Sequence, residues 1–497
     1  MATIVPRWEW RTFGSRFGIA ETRFAALTPT GIQESDEVYL LAGAGDNVKI
    51  RDALMDVKVL REVDPAGLER WEPVMKQGFP LAAADVTNVF AALDLAAPRL
   101  ERSAYTLDQF LDELATPSGS MRPVQVHKRR MRYTVGGCTS EVTEIRADGK
   151  STRSIAIESE DAAAVLAAVA SVGLAGYFNT NYHRGLRALL DGAPDRYAVI
   201  DVGTNSVKFH VAERAADGSL RKRVDRAELT RLGEGLQERG EIGPEALERT
   251  AAAISDMVAE AKRNGALAIA AVGTAGLRMA RNSAAVIATI RARTGVSIEV
   301  ISGEEEGRLA YLAVKAGLGV PEGSLVVFDT GGGSSQFTFG RGSQVDERFS
   351  VDVGAVRYTE RFGLDGVVPP DVLGAALGAI AADLSRIDGR AAPDLLVAMG
   401  GAVTNIAAVK HGLQNYDPDI VQGTVLDRAE IDRQIELYRS RDAAQRRGIV
   451  GLQPKRAEVI LAGACIVRTV MDKLRQHSVR VSDRGLRHGL LVERFGS

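Results

Sequence analysis

The chain has 497 residues, 45% hydrophobic and 25% charged, with 62 Lys and Arg against 64 Asp and Glu for a net charge of -2. That is material for about three structural units with ordinary cores, and the balance argues against bulk electrostatic binding to nucleic acid or a membrane surface. Two cysteines, Cys138 and Cys465, with no CxxC or Cys/His cluster argue against a disulfide framework or structural zinc and fit a reducing compartment.

The opening MATIVPRWEWRTF carries no signal-peptide pattern, and no run of about 20 uncharged apolar residues follows. A soluble, cytoplasmic chain is expected. Up to residue 192 strands dominate. Residues 47–63 alternate apolar with polar or basic side chains about a turn at Ala53–Met55. Residues 131–161 continue the pattern, with Gly136-Gly137 and Asp148-Gly149 as hairpin turns. Period-2 alternation with regular turns predicts an antiparallel sheet or barrel. Residues 85–94 and 161–174 are Ala-rich and read as helices. Gly149-Lys150-Ser151 imitates the end of a P-loop, but the earlier glycine it needs is Glu144 and the setting is a hairpin.

The turn-forming run Asp191–Arg196 marks a boundary, beyond which strands and helices alternate. The apolar run Tyr197–Ile200 leads into DVGTNS (201–206) and a second alternating strand. A helix is predicted over Pro244–Arg263, with proline at its first position and Gly265 past its end. ALAIAAVGT and VSIEVIS read as buried strands. Leu325–Phe328 then leads into DTGGGS (329–334), repeating the first motif. Two copies of strand, D-x-G turn and strand predict an α/β fold of two similar facing lobes.

Such turns can cradle phosphate. Gly203, Thr204, Asn205 and Ser206 in one, and Gly331, Gly332, Gly333, Ser334 and Ser335 in the other, offer backbone N–H and hydroxyl donors. Asp201 and Asp329 are acceptor-only groups able to hold Mg²⁺ directly or through water. Either turn alone is ordinary turn chemistry; their duplication favours a paired cradle. Between them, Gly273 and Thr274 end a strand and Arg278 falls on the first turn of the next helix, a second anion site. Taken alone, Arg278 reads as a solvated helix charge. Ser302 with Glu305 forms a capping-box pattern that starts a helix at Gly303. The stripe Leu309, Leu312 and Ala313 turns at least one of Glu305 and Glu306 inward, and periodicity does not choose between them. A carboxylate there can orient or deprotonate an attacking water. No HExxH, nucleophile elbow or complete GxGxxG occurs, and the six histidines are scattered.

The segments IDVGTNSVKFHVAE, LTRLGEGLQERGEIGPEALERT, VGTAGLRMARN, ISGEEEGRLAYLA, VFDTGGGSSQFTFG, VDVGAVRYTERF, MGGAVTNIAA and the ending RAEVILAGACIVRTVMDKL with VSDRGLRHGLL resemble the exopolyphosphatase and guanosine pentaphosphatase (Ppx/GppA) family. That family belongs to the actin, Hsp70 and sugar-kinase superfamily of two-lobed, RNase H-like α/β folds. The resemblance runs from Tyr197 to the C-terminus. It implies that Glu306 is the general base and that Asp201, Asp329 and the position of Gln336 engage Mg²⁺ or Mn²⁺. It further implies that the two turns, Lys208 and Thr274 hold phosphate oxygens while Arg278 clamps the same chain. The implied reaction is stepwise release of orthophosphate from the end of inorganic polyphosphate by a homodimer. Hydrolysis of pppGpp is one alternative. Polyphosphate sensing with little hydrolysis is another, motivated by Gln336, where many relatives carry glutamate.

The N-terminal part resembles the CYTH, or triphosphate-tunnel, fold. The expected organisation is an α+β antiparallel barrel over 1–192, a first lobe over 193–319 and a second over 320–497, with the last helix returning to the first lobe. The opening Arg7-Trp8-Glu9-Trp10-Arg11 replaces the first glutamate of ExExK. Polyanion-binding residues are expected at Glu9, Arg11, Lys49, Arg51, Lys58, Arg130 and Arg132, with Glu158 and Glu160 as an acidic pair suited to a metal. The missing glutamate favours polyphosphate binding over triphosphate hydrolysis.

Overall fold

The computed structural model describes residues 5–43, 45–117, 119–320, 322–342 and 344–496. Eight antiparallel strands close into a barrel in the order Arg7–Gly14, Lys150–Ser159, Cys138–Ala147, Arg122–Val135, Gly31–Leu41, Asn47–Arg51, Leu54–Val63 and Glu69–Gly78. The last strand pairs back on the first, so no edge is left open. This is the closed architecture expected of a CYTH-like domain. The turns at 136–137 and 148–149 fall where the sequence places them. The hairpin after Arg51 turns earlier than expected, at Asp52 and Ala53, because Met55 already pairs with Ile50.

Alternation sends one side-chain row into the barrel. At one end Phe13, Tyr39, Leu41, Val124, Val126, Ile145 and Ala147 pack with Tyr182 and Leu186 of the helix Tyr182–Asp191, which plugs that end. The charged residues occupy the other end. The barrel is therefore a cup rather than an open tunnel.

The two lobes repeat one topology. The first sheet runs Leu220–Leu229, Ser206–Arg214, Arg196–Val202, Ala266–Gly273, Ile298–Val300. The second runs Gln344–Val351, Ser335–Arg341, Ser324–Thr330, Leu395–Met399, Ser478–Val481, Val425–Asp427. In each, an antiparallel three-strand unit continues into a parallel neighbour. The helix Pro244–Arg263 carries proline in its first turn and buries Ala246, Ala253, Ile254 and Met257. The helix Leu486–Phe495 returns from the second lobe onto the first, where Phe495 stacks on Tyr197 with ring centres 4.6 Å apart.

Barrel and first lobe share one apolar core. Trp10, Phe17, Phe24 and Tyr133 belong to the same cluster as Tyr197, Val199, Ala268, Leu490 and Phe495. Residues 176–178 also run along the first-lobe sheet: Phe178 N donates to Leu267 O at 2.8 Å and Ile269 N to Gly176 O at 2.8 Å. The chain crosses its expected boundary in the turn after Asp191, where Gly192 is left-handed, but packing is continuous across it. Among the described residues no helix is long and apolar enough to cross a membrane.

Candidate active site

Each lobe ends its first hairpin with an acidic residue facing a polar one: Asp201 pairs across the strands with Lys208, and Asp329 with Gln336. Lys208 Nζ lies 3.1 Å from Asp201 Oδ2. The same ammonium acts on Asp329, whose proton affinity is raised by burial and countered by Lys208 and Arg456. Lys208 of the first lobe is thus near enough to Asp329 of the second to lower its proton affinity. A Cβ on Gly400, which has a φ of 92°, would stand 2.2 Å from Asp329 Oδ1, so only glycine lets the backbone after Met399 approach this carboxylate.

The turns present amides. Thr204 and Asn205 in one, and Gly332, Gly333 and Ser334 in the other, have N–H groups that donate to no group among the described residues. Gly203 N and Gly331 N instead close their own turns onto Ser206 O and Ser334 O. Two expected hydroxyl donors are spent internally. Thr274 Oγ1 donates to Val202 O at 3.4 Å and buried Ser335 Oγ to Val353 O at 2.6 Å. Gln336 Nε2 donates to Ser334 Oγ at 2.9 Å and Ser350 Oγ at 3.4 Å. Asp201, Asp329 and the Gln336 side-chain carbonyl offer oxygen donors, the ligand type that Mg²⁺ or Mn²⁺ accepts beside water.

The helix Gly303–Leu318 begins beside this cleft. Ser302 Oγ caps it by accepting from Glu305 N at 3.1 Å, but the reciprocal bond is absent because Glu305 pairs with Arg308, at 2.9 and 2.6 Å. Arg308 also bonds Glu493 of the C-terminal helix. Glu305 therefore belongs to the helix–helix contact. Glu306 turns the other way and pairs with Arg278, which also donates to Ile301 O at 2.7 Å. The geometry thus separates the two glutamates that periodicity left equivalent. Arg278 lies on the first turn of the next helix, the short Ala275–Met279, where its N donates to Thr274 O at 3.1 Å.

Sequence reasoning missed two cleft arginines. Arg456 approaches Asp329 and lines a small recess with Thr330, Gly331 and Gly332. Arg348 faces Glu306 from the second lobe. Arg456 opens the segment RAEVILAGACIVRTVMDKL, which marked the family resemblance without marking this residue, and Arg348 carries no local signal.

In the cup, Arg11 bonds Glu9 at 2.8 Å and Glu141 at 3.1 Å. Glu37 gathers Lys49 at 3.2 Å, Lys128 at 3.0 Å and Arg130, and these cations hold its carboxyl well below the usual range despite burial. Arg51 pairs with Asp56 at 3.6 Å, and Lys58 acts on Glu9 and Glu158. Arg132 sits exposed, bonded to Gln33 at 2.7 Å. One pairing fails. Glu160 is exposed beyond the end of its strand, and the acidic partner of Glu158 is Glu9, directly across the sheet. Lys128, fully buried with its amine 3.5 Å from the Tyr182 ring centre, shares the parity of Arg130 and was legible on that basis.

A cavity of about 550 Å³ lies elsewhere, walled by Lys222, Asp225, Gln422, Arg484 and His488. His210, Asp225 and His488 converge there within 4.8 Å. Arg487 takes both Asp225 oxygens, at 2.9 and 3.1 Å, and His488 Nδ1 accepts from Gly485 N at 3.2 Å. The ring proton of neutral His488 is then on Nε2, facing Asp225 Oδ2 at 3.7 Å. Asp225 is thus held by Arg487 at the centre of the cluster, and His210 Nδ1 lies 3.6 Å from it without a hydrogen-bond partner among the described residues.

Twin lobes that each end a hairpin in a carboxylate, facing across a cleft lined with free amides, define the actin-like class of phosphoryl-handling folds. The sequence pattern of the Ppx/GppA phosphatase family matches residues 211–497, and the chain belongs to that family. A crystal structure of the Aquifex aeolicus Ppx/GppA phosphatase is similar over 61% of this chain and 99% of its own, with a TM-score of 0.58 and 31% identity. Exopolyphosphatase 1 of Mycobacterium tuberculosis is 27% identical over 309 residues, 61% of this chain and 89% of that protein. An uncharacterised Streptomyces coelicolor protein is 30% identical over 308 residues, 60% of this chain and 89% of its own.

Proposed function

We propose that the chain is an exopolyphosphatase that releases orthophosphate from the end of inorganic polyphosphate. The observation that supports this reading is the ion pair of Lys208 with Asp201 in the first lobe together with its pull on the proton affinity of Asp329 in the second, as expected of two turns that grip one anion, with Glu306 bonded to Arg278 nearby. Free amides of both turns bind oxygens of the terminal phosphoryl group. Arg278, already at Glu306, neutralises charge that develops on the same group. Glu306 accepts the proton of the attacking water, and orthophosphate leaves from the shortened chain. Mg²⁺ or Mn²⁺ held by Asp201, Asp329 and Gln336 would supply charge neutralisation on the phosphate oxygens.

The test is phosphate release from long polyphosphate, tripolyphosphate and pppGpp with Mg²⁺, comparing the wild type with Glu306→Gln. The expected result is release from polyphosphate, reduced by about 10²–10⁴-fold in the variant. Preferred cleavage of pppGpp would move the chain to the nucleotide branch of the family. Binding of polyphosphate without release would make it a sensor.

A further inference from the structure

Arg348 lies on the strand Gln344–Val351 of the second lobe, two residues from Ser350, which bonds Gln336. Its Nε is enclosed and meets no acceptor, and among the described residues its guanidinium makes no ion pair. It faces Glu304 and Glu306 across the cleft, with Arg278 beside them. Arg278, by contrast, is engaged by Glu306 and Ile301 O.

The opposite helix is shaped to receive Arg348. A Cβ on Gly307 would come within 2.0 Å of Arg348 Nε and 2.4 Å of its Cδ, so any larger residue there would expel the side chain. A Cβ on Gly303 would lie 3.8 Å from Arg278 Nη2 and 3.9 Å from Arg348 Nη1, so both guanidinium groups border one point at the helix start. Glu304 and Glu306 act on Arg348 only from beyond ion-pair distance, and a half-buried arginine with no carboxylate in contact is costly unless something else brings an anion to it. Two planar forks from opposite lobes suit adjacent phosphoryl groups of one linear chain.

We propose that Arg348 is a substrate-binding arginine, a second clamp that grips the phosphate chain from the second lobe while Arg278 stays with Glu306. The inference rests on the reading that the cleft takes a phosphate chain. It assigns Arg348 to chain binding rather than to the chemical step.

The test is steady-state kinetics of the full chain on long polyphosphate with Arg348→Ala, Arg348→Lys and Gly307→Ala. Arg348→Ala is expected to raise KM about tenfold or more with kcat within about threefold, the range for one charge-assisted contact. Arg348→Lys should recover part of that loss. Gly307→Ala, which keeps the charge but fills its slot, should reproduce the KM rise, with circular dichroism showing that each variant is folded. An unchanged KM in Arg348→Ala would overturn the proposal while leaving the exopolyphosphatase reading intact. A fall confined to kcat would overturn it too, making Arg348 a positioning partner of Glu306. A wild type that neither binds nor cleaves polyphosphate would fell the reading and the inference together.

Discussion

Gly400 shows how much one missing side chain decides at the residue scale. Its positive φ and its closeness to Asp329 Oδ1 mean that Gly400→Ala must move either the strand end or the carboxylate. The expected cost is about 1–3 kcal/mol of stability, with at least tenfold lower phosphate release, read from thermal unfolding and steady-state rates. At this scale the sequence was legible where chemistry and position coincide. The D-x-G turns and the acidic helix start carry their own signals in glycine and capping residues. Direction was not legible. Thr274 and Ser335 are turn hydroxyls by type, yet neighbouring carbonyls claim them. Glu305 and Glu306 separate only because Arg308 and Arg278 approach from different elements. Arg348 sits on a strand with no motif around it, and Arg456 opens a recognisable segment whose contact with the second turn only tertiary structure reveals.

At the scale of elements, the C-terminal helix is tied to the first lobe by the knot of Asp225, Arg487, His210 and His488. Burial pushes His488 down to about 4, although Asp225 pulls the other way. Burial also opposes ionisation of Asp225, but His210 and His488 at 3.6 and 3.7 Å and the two hydrogen bonds from Arg487 outweigh it and hold the carboxyl well below its usual range. A histidine held neutral contributes stability that is full above about pH 6.5 and is lost as pH falls toward 4. The loss is expected to reach about 3 kcal/mol. Thermal unfolding at pH 7 and pH 5 checks it: the wild type should lose more stability between them than His488→Gln. The helix Pro244–Arg263 and the barrel hairpins were readable because proline, glycine and side-chain period are local signals. Glu160 misled because alternation was counted past a strand end, where parity no longer fixes a face. The plug Tyr182–Asp191 has no local mark of its destination; its aromatic and leucine enter the barrel only once the barrel exists.

The whole molecule unites what the sequence divides. Near residue 192 turn residues interrupt two apolar stretches in the sequence. That interruption is not a boundary in packing, because Phe17 and Trp10 lie in one core with Tyr197 and Phe495. A chain beginning at residue 193 is therefore expected to melt at least about 5 °C below the full protein, and the full protein to unfold these two parts in one transition, as calorimetry would show. Composition alone hides this, because an apolar residue does not announce which domain it will cover.

That continuous core has a consequence for any polymer that reaches both charged regions. Were the cup on a flexible tether, its help would fade smoothly as the substrate shortened. Welded in place, it would set a constant span to the cleft, and the molecule would act as a ruler: if both regions bind the polymer, a chain long enough to bridge that span would gain a second grip, and a shorter one nothing.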